Sequence, residues 1–285
     1  MADNIDLKKL SLAQLNDLVA IRVSENRKLK TVVFFRYLII KYAPSLTAFF
    51  VNTDFTGIEL KDVTSTTLNY FCGWLCSCYI QDSLSDRDLW SIHGVKPDWT
   101  LLNCSSSMWS WDQANLSAYL QEPLDMHLRE EDNELDIAVR SVDLFIFAKA
   151  YKIPRLRQDA LDRLCWFYNS KRTQGIPPRP LPRDTIRRAY NNTSDSPLRE
   201  LLLDGCCTFP EKDGKICFEG YPRQFLATIS EAYADATVGG SNWYQRDALD
   251  PCDYHEHERK DERKSCNIRV NFCEQMRIWD TDRHH

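Results

Sequence analysis

A helix that is apolar almost all the way round needs a protein interior to enclose it, and residues 134–152 have that pattern. Leu135, Val139, Val142 and Ile146 recur at helical spacing, and Phe145, Phe147, Ala148 and Tyr151 widen the apolar face until it nearly closes. The pattern predicts a helix buried on most of its sides. Asn133 is placed to cap it, with Glu134 and Asp136 in the first turn and Lys149 and Lys152 in the last, charges that suit the helix dipole. Ile153 precedes Pro154, which ends this helix and fits the first turn of the next. That second helix sets Leu156, Ala160, Leu164 and Phe167 on one stripe, with Asp159 and Arg163 four apart on the wet side. The pair carries no reactive group, which points to an interaction protein rather than an enzyme.

The rest of the chain has to supply the enclosure. With 285 residues and 43% apolar content, the chain can build one large domain or two modest ones. A formal charge of −5 offers no global attraction to nucleic acid or to an anionic membrane. The polar start, Met1-Ala2-Asp3-Asn4, does not read as a secretory signal. The most apolar run, 31–40, is interrupted by Arg36 and is too short to span a bilayer. Eleven cysteines without a signal are expected to be reduced thiols, so cytoplasm or nucleus is the expected compartment.

Leu18 to Val23 alternates as a strand does, Ser24 to Lys28 is turn-like, and Leu29 to Phe35 is rich in β-branched and aromatic residues: a hairpin. Helical spacing takes over at Arg36, through Leu38, Ile39, Tyr42, Leu46, Phe49 and Phe50, with a break at Pro44. Ile58 to Leu60 predicts a short strand, and Thr64 to Ile80 a helix capped by Asp62 or Thr64 with Leu68, Phe71, Cys72, Leu75 and Tyr79 inward. Residues 81–133 show no sustained period and read as an insertion. It is acidic: 81–140 hold 12 Asp/Glu against 4 Lys/Arg, whereas 149–188 hold 11 Lys/Arg against 3 Asp. Two solvated faces explain the asymmetry, and so does an insertion folded back over the basic helices. The prolines of 176–182 make a stiff linker. Short helices come next around Ile186 and Tyr190, from Ser196 as cap and Pro197 at the first helical position through Leu203, and from Pro222 through Tyr233.

In this order the elements resemble the BTB/POZ family in its divergent fungal form. The resemblance is carried by Asp17, Val33-Phe34-Phe35-Arg36, Ala43-Pro44-Ser45-Leu46 with Phe49-Phe50, Trp74-Leu75, and Phe147-Ala148-Lys149-Ala150-Tyr151-Lys152-Ile153-Pro154-Arg155-Leu156. Tyr190-Asn191-Asn192-Thr193 and Ser196-Pro197-Leu198-Arg199 are similar to elements on the C-terminal side of the domain in fungal members. The resemblance implies an α+β fold: a BTB/POZ-like helical cluster with a small flanking sheet, plus a C-terminal helical extension. The expected domains are 10–170 (with the insertion 81–133), a Pro-rich linker and helical extension over 171–238, and a polar Cys/His-containing tail over 239–285. It further implies a non-catalytic module that associates with itself, as a homodimer, or with a protein partner, as an adaptor in ubiquitin ligation or in transcriptional regulation. Members that recruit a cullin often carry an apolar-x-Glu element before the third strand. Here that loop reads Phe55-Thr56-Gly57, so cullin recruitment is not implied. The face implied for association is Leu18, Ile21, Leu38, Leu46, Phe49, Phe50 and Phe55, and the alternative for these residues is the core of the monomer.

One metal-like cluster lies in the tail, where Cys252, His255, His257 and Cys266, with Cys273 beyond, mix thiolates and imidazoles as tetrahedral zinc prefers. Such a site is structural, the alternative is a solvated charged tail, and no other cofactor is required. Cys206-Cys207 and the Cys72, Cys76, Cys78 group read as buried thiols rather than redox or metal pairs. A nucleic-acid interface on Arg155, Arg157, Lys171, Arg172, Arg179, Arg183, Arg187 and Arg188 is the alternative function from another class. No aromatic platform is interleaved with it.

Overall fold

Two β-rich stretches with one short polar connection make the hairpin that begins the described structure. The computed structural model describes residues 18–25, 27–49, 57–83, 132–173, 181–208, 219–239 and 249–255. Strand β1 (Leu18–Glu25) pairs antiparallel with β2 (Lys28–Phe35) from Leu18↔Phe35 to Glu25↔Lys28, so the strands extend further into the polar turn than the alternation predicts. Arg27, just before β2, has φ 62°, the left-handed conformation that tight hairpin turns use. Strand β3 (Gly57–Leu60) lies parallel to β1 on its other side, giving the order β2-β1-β3. A Cβ at position 57 would lie 2.5 Å from the Ala20 carbonyl oxygen, so this pairing depends on a glycine there.

Parallel neighbours require a crossover. It contains helix α1 (Arg36–Tyr42) and a 3-10 turn (Pro44–Phe49), broken at Ala43-Pro44 as proline dictates. Helix α2 (Ser65–Ser83) starts where Thr64 accepts the Thr67 amide at 3.0 Å, which selects Thr64 over Asp62 as its cap. Val19, Ile21 and Val23 project from β1, and Ile58 and Leu60 from β3, into a core shared with Leu38, Leu46, Leu68, Phe71 and Trp74. Trp74 stacks on Phe71, which meets Phe147 at 4.9 Å.

Helix α3 (Asp132–Ala150) ends without a glycine. Lys152 adopts φ 55°, and the Ile153 amide returns to the Ala148 carbonyl at 2.8 Å, the bond of a Schellman ending. Just before it, the Tyr151 hydroxyl accepts the Lys61 N–H at 3.1 Å and donates to the Lys61 carbonyl at 3.2 Å.

Helix α4 (Pro154–Thr173) opens on its proline, as expected. Helices α5 (Arg183–Asn192), α6 (Pro197–Thr208) and α7 (Arg223–Gly239) come next, then a 3-10 turn at Pro251–Asp253. The described residues thus combine seven α-helices with one three-stranded sheet, a mixed α+β fold. Among them no helix is long and apolar enough to cross a membrane. Two units divide these residues: one holds β1 through α2 with Phe147–Arg155, the other holds α3 up to Ile146 and everything from Leu156. The span expected as one domain, 10–170, therefore crosses a unit boundary. The expected insertion lies almost wholly outside the described residues, as does most of the linker.

In the second unit Leu156, Ala160, Leu164 and Phe167 are buried as their stripe predicts, together with Ile186, Ala189, Leu198, Leu201 and Phe225. Pro197 is first in α6, but the Ser196 hydroxyl makes no capping bond; it is buried without a partner while the Ser196 carbonyl accepts the Arg199 amide at 2.9 Å. Arg199 lies instead over the Tyr190 ring at 4.5 Å and donates to the Tyr190 carbonyl. The guanidinium thereby ties α6 to the end of α5.

The hairpin end is held by charge. Glu25 accepts from Lys30 at 2.8 Å and from Ser65 at 2.7 Å, and the Lys30 ammonium also reaches the Ser65 hydroxyl at 2.8 Å. Lys30, then Ser65, holds the Glu25 carboxyl below its ordinary value. A depressed carboxyl contributes stability that is present above its unfolded pKa and is lost as pH falls through the lower, folded one. The Glu25→Gln variant is therefore expected to show a flatter loss of stability on acidification than the parent, read by urea melts stepped from neutral pH into the acid range. Parallel curves would show that the cluster contributes nothing.

Candidate interaction surface and the predicted metal cluster

Side chains alternate across a strand, so Leu18 and Ile21, three apart, cannot share a face. Leu18 is 50% exposed, whereas Ile21 is buried with Val19 and Val23. Leu38 and Leu46 are buried as well, because α1 and the 3-10 turn bring these residues into the core of the first unit. This corrects the expected association face: Ile21, Leu38 and Leu46 hold the monomer together and do not reach solvent. Phe49 ends the 3-10 turn, and Phe50 and Phe55 lie outside the described residues.

A different apolar surface emerges. Leu29 at 58%, Val33 at 45% and Ile40 at 50% exposure join Leu18, and these are four of the five exposed large apolar side chains among the described residues. The fifth, Trp166, lies on α4. The outward side of the hairpin pairs Leu18 with Phe35, Ala20 with Val33, Arg22 with Thr31 and Ser24 with Leu29. Arg22 also neighbours Glu59 on β3, so this side carries balanced charge. Phe35 continues into Tyr37 at 6.1 Å, and Tyr37 meets Tyr79 edge-on at the same separation. Burial, then the neighbouring Tyr79 and Cys76, pushes the Tyr37 phenol up, so it stays protonated at neutral pH. The clue was in the sequence: in a strand whose Val32 and Phe34 face inward, Leu29, Thr31 and Val33 must face outward.

Of the metal residues, Cys252 and His255 are described and both are buried, in a short segment docked on the second unit. Asn169 grips the segment at Leu249, donating to its carbonyl and accepting its amide, each at 2.9 Å. Asp250 caps the 3-10 turn by accepting the Cys252 amide at 2.9 Å. Tyr254 donates to Asp204 at 2.7 Å, and His255 sets Nε2 2.5 Å from Asp162. One ring nitrogen of the histidine is thus directed to a carboxylate. His257 and Cys266 lie outside the described residues, and among the described residues no three His, Cys, Asp or Glu side chains form a metal set. The segment was expected as solvated tail or zinc cluster; at 249–255 it is a packed part of the fold.

The thiols are set up for packing. Cys72 and Cys78 are buried, and all seven described cysteines are outside disulfides. Burial pushes Cys206 up to about 12 and Cys207 up to about 11, and it pushes Cys165 well up, helped by the nearby Asp162. A thiol protonated at neutral pH is a poor nucleophile and a poor metal ligand.

The basic stretch spends part of its charge internally. Arg188 forms a two-point pair with Asp143 at 3.0 and 3.3 Å, and Arg187 bonds Asp184 at 2.7 Å and the Gly220 carbonyl at 3.0 Å. Arg155 lies over Tyr42 at 5.5 Å, and Arg183 over Tyr221 at 5.9 Å. Burial raises the Asp143 carboxyl, and Arg188 acts against that rise. Of the remaining basic candidates, Arg179 lies outside the described residues. Compared with protein-family models, curated proteins and solved structures, the chain matches none.

Proposed function

We propose that this chain is a non-catalytic protein-binding module of BTB/POZ-like construction, acting as an adaptor through the first unit. One observation carries the reading: four of the five exposed large apolar side chains among the described residues lie on β1, β2 and α1, elements whose other side chains are buried in the core of the first unit. Scattered apolar side chains on a surface need no explanation, but several exposed on neighbouring elements of a rigid support are what partner proteins use. The order of elements adds support: a hairpin, a crossover with a helix, a parallel third strand and a long buried helix keep the order that the family resemblance implies. Cullin recruitment is not part of the proposal, and the arginines engaged within the fold leave the nucleic-acid alternative less charge to work with.

The test is affinity purification of the full chain with quantitative mass spectrometry, comparing the parent with Leu18→Glu/Ile40→Glu. Both residues are half exposed, so the variant is expected to fold with an unchanged melting temperature. The expected result is a set of proteins retained by the parent and lost by the variant. Identical recoveries from parent, variant and an unrelated control chain would defeat the proposal.

A further inference from the structure

Among the described residues, strand β2 is an edge of the three-stranded sheet. An edge strand offers a row of backbone donors and acceptors to any strand that can lie beside it. Lysines usually guard such edges, and β2 has two. Yet Lys30 is drawn to Glu25 and Ser65 on the inward side, each at 2.8 Å. The residues left along the edge, Leu29, Thr31 and Val33, are all exposed.

Thr31 sits midway between the two exposed aliphatics. Laid antiparallel against a second copy of itself about Thr31, the strand sets Leu29 opposite Val33 of the other copy, and Val33 opposite its Leu29. Directly opposite residues of an antiparallel pair point to the same side, so both aliphatic pairs meet on the outward side. In this register Lys28 faces Phe34 and Lys30 faces Val32, so no cation meets a cation. A two-fold at Lys30 sets the lysines against each other. One at Val32 sets Lys28 against Arg36, and one at Val33 sets Lys30 against Arg36. Registers between residues turn buried Val32 and Phe34 toward the outward row. The axis at Thr31 keeps the inward and outward rows aligned, sets the two exposed aliphatics opposite each other and brings no cation against a cation.

We infer that β2 pairs with β2 of a second copy of this chain, antiparallel and centred on Thr31, to give a continuous six-stranded sheet in a symmetric dimer. The inference rests on the proposed protein-binding role and names its partner; it moves self-association from the buried face of Ile21, Leu38 and Leu46 to an exposed edge. Interfaces of this kind are isologous, so one patch suffices for both partners. Edge-to-edge pairing of one eight-residue strand is a small contact beside the roughly 800 Å² per partner of a stable interface, so the dimer is expected to be weak and concentration-dependent.

Sedimentation velocity over a concentration series should show a monomer–dimer equilibrium for the parent. Leu29→Lys/Val33→Lys places lysine opposite lysine twice and should weaken the dimer about tenfold or more. Leu29→Glu/Val33→Lys places opposite charges at the same two points and should restore the dimer at low salt. Thr31→Cys brings its new thiol opposite itself, at the roughly 4.5–5.5 Å Cα separation that a disulfide spans. Mild oxidation should then give a dimer linked at position 31 and absent from the parent, whose own cysteines are the control. A parent monomeric at every concentration overturns the inference. So does a dimer that ignores the two-lysine variant and yields no link at position 31. A monomer whose residues 28–35 resist hydrogen exchange overturns it in favour of another segment of the chain on that edge. In each case loss of partners on Leu18→Glu/Ile40→Glu remains a separate measurement, so the adaptor role can stand when the dimer falls.

Discussion

Gly205→Ala is expected to lower the melting temperature by roughly 4–8 °C, taking about 2 kcal/mol of net destabilisation over a domain of this size. Two effects of opposite sign compete. Alanine favours a helix interior by about 1 kcal/mol relative to glycine. Against that, the new Cβ would fall within 2.7 Å of three carbons of the Tyr168 ring. Tyr168 is fully buried and packed edge-on against Phe167 at 5.2 Å, so the ring has no open space to turn into. Relief must come from moving α6 off α4, the kind of overpacking that costs about 1–3 kcal/mol or more. The clash is severe enough to put the cost at the upper end, and it wins. Calorimetry of the single variant and of Gly205→Ala in a Tyr168→Leu background separates the terms. The second substitution removes the obstacle, so the added methyl should then cost nothing, and equal costs in both backgrounds would reject the close approach as the reason for the glycine.

Asn169→Leu should release the 249–255 segment while leaving the helices folded. The side chain is buried and serves both backbone groups of Leu249. Leucine fills the volume and serves neither. Leaving a buried donor and acceptor unpaired costs about 1–3 kcal/mol each, and the segment escapes that cost by opening. Taking about 3 kcal/mol as the change in opening free energy, native-state alkylation of Cys252 should accelerate about a hundredfold. Cys165, in the body of α4, should stay protected and provides the internal reference. Unchanged labelling of Cys252 would mean that Tyr254–Asp204 and His255–Asp162 hold the segment without Asn169.

Much of the backbone could be read from local pattern. The turn at Ala43-Pro44, the start of α2 with its cap narrowed to Asp62 or Thr64, the passage from α3 to α4 at Ile153-Pro154 and the start of α6 at Pro197 come from proline geometry, capping chemistry and periodicity, all short in range. The surface was harder. Leu18, Ile21, Leu38 and Leu46 look alike as sequence, and their separation into exposed and buried depends on the strand's two-residue period and on what covers α1. Leu29 and Val33 gain meaning only once the register with β1 is known. Ser196 shows the limit of local chemistry: the residue type and the proline after it satisfy the capping rule, yet its hydroxyl makes no bond. The docked 249–255 segment was missed for another reason. Its anchor, Asn169, sits 80 residues away, and a polar side chain late in an amphipathic helix gives no sign that it will be buried. The carboxylate beside its histidine, Asp162, is just as remote in sequence.

The hydroxyl of Tyr151 holds both backbone groups of Lys61 from 90 residues away. This contact closes the chain around everything between α2 and α3. The entropy of such a closure grows only as the logarithm of the loop, roughly 0.6 kcal/mol for each doubling of its length. Once the clamp is made, a change in the number of residues between α2 and α3 costs little closure entropy. The number of residues between Ser83 and Asp132 is therefore only weakly felt by this contact. A single phenol decouples the size of that stretch from the integrity of the fold that carries it.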